Sequence, residues 1–399
     1  MQMSVTVSER RLLGFAIASQ ASISIVQWGL GALAPDLADR YHLSQAALGL
    51  LINATAFGNA FALIPAGGLV DRIGPRRPLL LAGTASGLLV AVAGLAGSAL
   101  VLGLAFVVAG MLGALVAVAA TISVFHGFPP ERRGFAIGMR QMSVSLGGLI
   151  AAFLLPALAG LSGVPLALAA SGLVTAACAF AFGRSCPPGP LVPVERRRAL
   201  VPMDAMRVPG MWALFATGLA LVWPLVAVLT FSVQAIRDGG GSRLAASLAF
   251  ALISLSAMAA RVIWGRIADS GDGTRRIDTL RDVALLTVGL SLVTALVWPY
   301  GTPVRVIAVV VLAFGALGFN GVLYVVAGEL AGPARAGQAV GWMSTALFGG
   351  GAIAAAPLGA LIDGYGYRVL WLAAAVAGAV GVLLARTLYK AYDPVLKPT

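Results

Sequence analysis

Apolar residues run in long, nearly unbroken blocks along this chain, and polar residues gather between them. Twelve runs of about 20 residues stand out, at 12–36, 46–69, 78–97, 99–125, 134–159, 165–183, 210–236, 244–266, 281–299, 303–327, 338–361 and 368–388. Each is long enough, as a helix, to cross a hydrocarbon layer of about 30 Å. The first run is too long for a signal-peptide core and lacks a small-residue cleavage site, so it predicts a retained helix. The rhythm breaks once, where Cys186-Pro187-Pro188-Gly189-Pro190 is followed by Glu195-Arg196-Arg197-Arg198. Such a stretch predicts a solvated linker. The expected organisation is six helices in 1–183, a linker loop at 184–209, and six helices with a short tail in 210–399.

The two halves carry related signals. Gly67-Gly68-Leu69-Val70-Asp71-Arg72-Ile73-Gly74-Pro75-Arg76-Arg77 follows the second run, and Gly265-Arg266-Ile267-Ala268-Asp269 follows the eighth, with a degraded tail ending in Arg275-Arg276. Gly67 and Gly265, like Asp71 and Asp269, are 198 residues apart. A second match has an offset of 203: Gly134 through Gly138 with Gly337 through Gly341, and Gly147-Gly148 with Gly350-Gly351. Two matches in the same order predict a duplicated membrane architecture of parallel six-helix repeats.

Composition agrees: 59% of residues are hydrophobic and 11% charged, far from a soluble domain. The net charge of +12 is explained by topology rather than by a nucleic-acid partner. With the N-terminus inside, twenty basic residues fall on the cytoplasmic side, against five outside (Arg40, Arg237, Arg243, Arg305 and Arg368). Both termini are then cytoplasmic, in a membrane read as a bacterial inner membrane. Cys178 and Cys186 give neither a disulfide framework nor metal spacing, and His42 and His126 read as interfacial residues. No cofactor, metal or catalytic group is expected.

The segment Gly67–Arg77 resembles the loop 2–3 signature of the major facilitator superfamily, G-x-x-x-D-R-x-G-R-R, with its weaker echo at Gly265 and Asp269. The resemblance covers essentially the whole chain. It implies an all-α fold of twelve transmembrane helices in two pseudo-symmetric six-helix bundles, a monomer, and transport by alternating access. It also implies that Gly67, Asp71, Arg72, Gly74, Arg76, Arg77, Gly265 and Asp269 form a cytoplasmic gate. The physics fits, since Asp71 suits a helix N-terminus and Gly74 permits a tight turn.

Two basic residues, Arg140 in span 5 and Arg261 in span 8, lie inside apolar runs. Arg140 is 8 residues beyond Arg132 and Arg261 is 8 before Asp269, which places each about 12 Å from the charged edge. An arginine at a helix centre costs about 2.5–3.5 kcal/mol on insertion scales. No acidic residue occupies the middle of a span, so an anionic cargo is the expected counter-charge. Snorkelling, or pairing with a helix-end carbonyl, is the competing structural role.

Ala260-Arg261-Val262-Ile263-Trp264-Gly265 resembles the helix 8 pattern of oxalate/formate exchangers and monocarboxylate carriers, in which that arginine binds the substrate carboxylate. The chain departs from the proton-coupled carriers at Ala257, and Met343 occupies the position in span 11 equivalent to Arg140. Proton coupling and oxalate as cargo are therefore not carried over. Gln20, Ser24 and Gln27 form one stripe on span 1, with Trp28 beside it. Gln141, Asn320 and Tyr324 complete the expected substrate-binding set, and Asn53 and Asn59 are further polar positions. Helix–helix hydrogen bonding is the alternative role for each. Gly315-x-x-Gly318-x-x-Gly321 reads as a packing face, and Pro156, Pro224 and Pro357 as bend points.

The leading reading is a secondary carrier of a small anion, an organic carboxylate. A proton-driven drug or metabolite exporter is weakened by the lack of an acidic residue in span 1 and of a G-P-x-x-G-G run in span 5. An anion sensor of the same fold would look identical in sequence, and a membrane-embedded enzyme has no supporting motif.

Overall fold

The computed structural model describes residues 7–128, 130–189, 203–269, 273–332 and 335–396; at some helix positions, among them Gly67, Asp71, Gln141 and Asp269, it describes the backbone alone. Among the described residues every regular element is helical. The first half contains α1 (Val7–Ala32), α2 (Ala34–Tyr41), α3 (Gln45–Ile52) and α4 (Ala54–Ile73). A π-helical turn (Pro78–Gly83) then leads into α5 (Thr84–Ala93), followed by α6 (Ala99–Gly127), α7 (Pro130–Ser162) and α8 (Val164–Ser185). The second half contains α9 (Met211–Asp238), α10 (Arg243–Asp269), α11 (Gly273–Val297), α12 (Thr302–Ala316), α13 (Phe319–Ala331), α14 (Ala336–Tyr365) and α15 (Tyr367–Leu396).

Among the described residues, ten helices are individually long and apolar enough to span a bilayer. The broken pair Gln45–Ile52 and Ala54–Leu63 supplies another span, and Pro78–Ala93 is a shorter apolar helix at the third position. The twelve runs are thus all helical, in a twelve-helix integral membrane fold. Large apolar side chains such as Phe61, Leu81, Leu296, Ile307 and Ile353 are exposed, as suits a surface bathed in hydrocarbon.

Three details differ from the hydropathy pattern. Span 1 ends at Ala32 and a separate short helix follows. Span 2 is interrupted at Asn53, whose side chain donates to Gly49 O and to Thr230 Oγ1 of α9, both at 3.0 Å. Span 10 is interrupted between α12 and α13. The prolines do not break their helices: Pro156, Pro224 and Pro357 lie within α7, α9 and α14. Neighbouring groups in a membrane bundle can satisfy the carbonyl that a proline leaves.

The chain groups into two compact units, Met1–Asp36 with Ala54–Val201, and Leu37–Asn53 with Pro202–Thr399. In the first, α4 packs on α6, α1 on α7 and α8, and α5 on α8. In the second, α10 packs on α12, α9 on α14 and α15, and α11 on α15. These pairings are the same when shifted by six spans, which makes the bundles pseudo-symmetric. The glycine repeat has the same basis. A Cβ on Gly147 would lie 2.5 Å from Ala21 O of α1, and one on Gly350 would lie 2.8 Å from both Leu219 Cδ2 and Val222 Cγ1 of α9. Span 5 approaches span 1 in one unit as span 11 approaches span 7 in the other. Among the described residues, the closest approach in the first unit joins α4 and α6, where a Cβ on Gly58 would lie 1.9 Å from Val107 O and one on Gly110 2.1 Å from Thr55 O.

In the second unit, α3 docks on the end of α14. Asp363 accepts from the Gln45 and Ala46 amides at 2.8 and 3.0 Å, Ser44 Oγ accepts from Ala47 N at 3.3 Å, and Ser44 O from Leu48 N at 2.9 Å. All four amides in the first turn are therefore satisfied, two of them by a carboxylate from another helix. Gly359 permits the contact, since its Cβ would lie 2.4 Å from Gln45 O.

Two outcomes follow from this packing. Gly110→Val should destabilise the protein by about 1–3 kcal/mol through overpacking, whereas Gly113→Val on the same helix, with nothing within 4 Å, should not; thermal unfolding in detergent compares them. Asp363→Ala should lower amide-exchange protection at Gln45 and Ala46 by about 5–10-fold, the equivalent of a ~1 kcal/mol helix cap. Unchanged protection would show that α3 is held by packing alone.

Candidate functional site

The polar interior of the first unit is built around Arg140. Its residue is only 6% exposed, on α7. Gly147 lies two helical turns further along the same face, so the close approach there also turns Arg140 toward α1. The guanidinium donates from Nη1 to Gln20 Oε1 on α1, and from Nη2 to Thr121 Oγ1 on α6 at 2.9 Å. The Thr121 hydroxyl donates to Ala117 O at 2.8 Å, leaving its lone pairs for the arginine. Gln20 Nε2 is 3.4 Å from Ser24 Oγ, and Ser24 is fully buried. Arg140, Gln20 and Ser24 therefore come together, and Thr121 joins them without having been singled out in the sequence. Gln27 and Trp28 are half-buried farther along α1, and no described hydrogen bond joins them to this cluster. The side chain of Gln141 lies outside the described residues.

In the second unit Arg261 on α10 is half-buried and lies within electrostatic reach of the Tyr324 side chain on α13. The phenol oxygen is 3.3 Å from Ser344 Oγ on α14. Trp264, one turn beyond Arg261, donates from Nε1 to Phe314 O at 3.3 Å. It fills the space at the α12–α13 interruption, where a Cβ on Gly318 would lie 2.4 Å from Trp264 Cδ1. That contact and the seating of Gly315 against Thr287 make these two glycines packing positions, whereas Gly321 has nothing within 4 Å of its Cβ position and does not extend the packing face. Asn320 is one turn before Tyr324, and its buried Oδ1 has no hydrogen-bond partner among the described residues. Met343, at the repeat position of Arg140, is fully buried. Asn59 bonds within its own helix, to Thr55 O at 3.0 Å, and Asn53 holds the span 2 interruption; both have structural roles.

The loop signature is visible in its backbone. Gly74 has φ 77° and its amide donates to Val70 O at 2.8 Å, the left-handed ending of α4 that a glycine supplies. Arg72 and Arg77 are exposed and Arg76 is half-buried. The surroundings of Gly67 and the side chains of Asp71 and Asp269 lie outside the described residues. In the echo, Gly265 lies inside α10 with nothing near its Cβ position. The basic tail has a local use: Arg276 forms an ion pair with Glu329 of α13. Nearby, Arg281 contacts Asp282 at 2.8 Å and Asp278 at 3.2 Å, and Tyr389 of α15 donates to Asp278.

Twelve helices in two repeated bundles, with polar groups held between helices of each, are the architecture of a membrane transporter. The model of the Major Facilitator Superfamily matches residues 16–280, and the chain belongs to that family. Proteins described as uncharacterized MFS-type transporters in two strains of Mycobacterium tuberculosis are 26% identical over 349 residues, covering 86% of this chain and 77% of theirs. Among solved structures, a bacterial homolog of the human lysosomal transporter Spinster, inward-facing and unoccupied, superposes with a TM-score of 0.78 at 17% identity, covering 97% of this chain and 99% of that one. The nucleoside transporter NupG gives 0.73 at 15% identity, covering 96% and 100%. These structural likenesses establish the fold and leave the cargo to the site.

Cys186, just past α8, is buried with Sγ 3.4 Å from Ser123 Oγ. Burial pushes its thiol pKa up, against smaller downward pulls from the Ser123 hydrogen bond and from Arg76. The thiolate fraction at pH 7.5 is therefore lower than for a free cysteine, and it recovers only at higher pH. In a Cys178→Ala background, maleimide labelling of Cys186 should be at least ~10-fold slower than in the unfolded chain. It should continue to accelerate above pH 9. Labelling at the unfolded rate at pH 7.5 would contradict this burial.

Proposed function

We propose that this protein is a secondary transporter for a small anion, an organic carboxylate, and that Arg140 and Arg261 are its anion-binding groups. The observation that carries this reading is Arg140, a guanidinium buried among helices with neutral side-chain oxygens on both terminal nitrogens. Keeping a cation there costs about 2.5–3.5 kcal/mol on insertion scales, and such groups are retained where they bind or move something. Guanidinium binds carboxylate through paired charge-assisted hydrogen bonds. Arg261, beside Tyr324, offers the same chemistry in the second unit. The resemblance of Ala260–Gly265 to the helix 8 pattern of oxalate/formate exchangers and monocarboxylate carriers supports its assignment.

Exchange or facilitated movement suits this interior better than obligatory proton symport. Among the described residues, acidic groups lie toward helix ends, with Asp238 closing α9, Asp363 near the end of α14 and Glu329 near the end of α13. The arginine bias supports a cytoplasmic location for both termini, in a membrane read as a bacterial inner membrane. The working unit is a monomer, and the Gly67–Arg77 loop with its echo acts as a gate on the cytoplasmic side.

The test is counterflow in proteoliposomes with mono- and dicarboxylates, nitrate and cyanate across a pH series. Wild type should exchange a carboxylate. Arg140→Gln and Arg261→Gln should each weaken that exchange by about 10–100-fold, the range for a lost charge-assisted hydrogen bond. Wild-type rates in both variants would remove the arginines from the site. Transport of a neutral or cationic drug without anion exchange would favour an exporter.

A further inference from the structure

We infer that Asn320 is a cargo-binding residue and that it selects, among small carboxylates, those that also carry a hydroxyl group; this rests on the anion reading above. The chain around Asn320 explains its place. α12 ends where the Leu317 amide donates to Ala313 O at 3.0 Å and the Gly318 amide to Gly315 O at 3.2 Å, a tightened turn that closes the helix. The Trp264 indole donates to Phe314 O in that turn, and its ring lies against Gly318. α13 then begins, and Phe319, Val322, Leu323 and Val326 form its buried packing face. Asn320 and Tyr324, four residues apart, share a different and half-buried face.

The two residues of that face differ in what already holds them. The Tyr324 phenol oxygen is 3.3 Å from Ser344 Oγ on α14, and the Ser344 hydroxyl also reaches Val340 O at 2.9 Å. Among the described residues, no hydrogen bond reaches either end of the Asn320 amide, although its Oδ1 is shielded from solvent. The other two asparagines of the chain use their amides inside the protein, Asn53 on Gly49 O and Thr230 Oγ1 and Asn59 on Thr55 O. An amide left unpaired in a membrane interior is costly, and it offers an acceptor at Oδ1 with donors at Nδ2. A cargo hydroxyl matches it, since it can donate to Oδ1 or accept from Nδ2. A keto oxygen only accepts, which leaves Oδ1 unpaired. An ammonium group donates, but Arg261 lies within electrostatic reach of Tyr324, one turn from Asn320, and repels a second cation. Arg261 has further contacts of its own; recognition of the hydroxyl therefore falls to the uncommitted amide.

The test uses the full chain in proteoliposomes and compares acids that differ by one hydroxyl, glycolate with acetate and malate with succinate. In at least one pair, wild type should half-saturate with the hydroxy acid at about 10-fold lower concentration than with its parent. Asn320→Leu, close in volume, should raise the hydroxy acid's half-saturation by about 10-fold, to the level of the parent, and change the parent's by less than about 2-fold. The unfolding midpoint of the purified variant should not fall, because no described hydrogen bond is lost. Asn320→Ala should show the same loss of preference, so a packing defect in one variant does not decide the result. If Arg261→Gln impairs carboxylate exchange but the hydroxyl preference is absent from wild type, or survives in both Asn320 variants, the role of Asn320 is overturned and the anion reading stands. Preference for glycine over glycolate would overturn the hydroxyl assignment. Failure to exchange any carboxylate would overturn both readings.

Discussion

In hydrocarbon, apolar side chains gain little by leaving lipid for another helix, so helix pairs depend on how closely their backbones can pack. The backbone approach at glycine is the constraint on which this molecule rests. Gly58 and Gly110 lock α4 to α6 with no room for a methyl group on either side, and Gly147 seats α7 against Ala21 and Ser24 of α1. That last contact reaches beyond packing. It brings a helix carrying an arginine against a helix carrying Gln20 and Ser24, and the polar cluster follows from the steric one. Replacing the glycine would displace the arginine's partners without touching any of them.

The two bundles repeat this packing but not its chemistry. Gly350 approaches α9 as Gly147 approaches α1. Yet Met343 fills with a thioether the repeat position that Arg140 fills with a cation. The second bundle places Arg261 on α10, near Tyr324 and one turn before Trp264. Duplication supplied a common scaffold, and the polar residues diverged on it. An anion carrier needs cationic groups accessible to cargo, not cationic groups at symmetric positions, so this asymmetry is compatible with the proposed function.

The helices were legible because a bilayer demands long apolar runs, and nothing soluble imitates twelve of them. Gly74 was legible too, since a glycine after a helix ending in Asp71-Arg72-Ile73 announces the left-handed turn it makes. What the pattern concealed has a physical reason in each case. The interruption at Asn53 depends on Thr230, far away in the chain. The docking of α3 depends on Asp363, which the sequence shows only as an acidic residue near a helix end. Thr121 looks like any hydroxyl in an apolar helix, because a threonine can satisfy itself on its own backbone. Its second role as an acceptor for Arg140 appears only when α6 and α7 are side by side. Gln20, Ser24 and Gln27 were readable as a stripe with Trp28 beside it, but among the described residues no hydrogen bond joins Gln27 or Trp28 to the cluster.

The central claim is that the interior charge serves an anionic cargo. It is tested most directly by calorimetric titration of the purified protein with pairs of small carboxylates and their isosteric amides, such as acetate with acetamide and lactate with lactamide. The account predicts saturable binding of at least one acid, no binding of its amide, and loss of the acid's signal in Arg140→Gln. Equal binding of acid and amide, or undiminished acid binding in that variant, would contradict it.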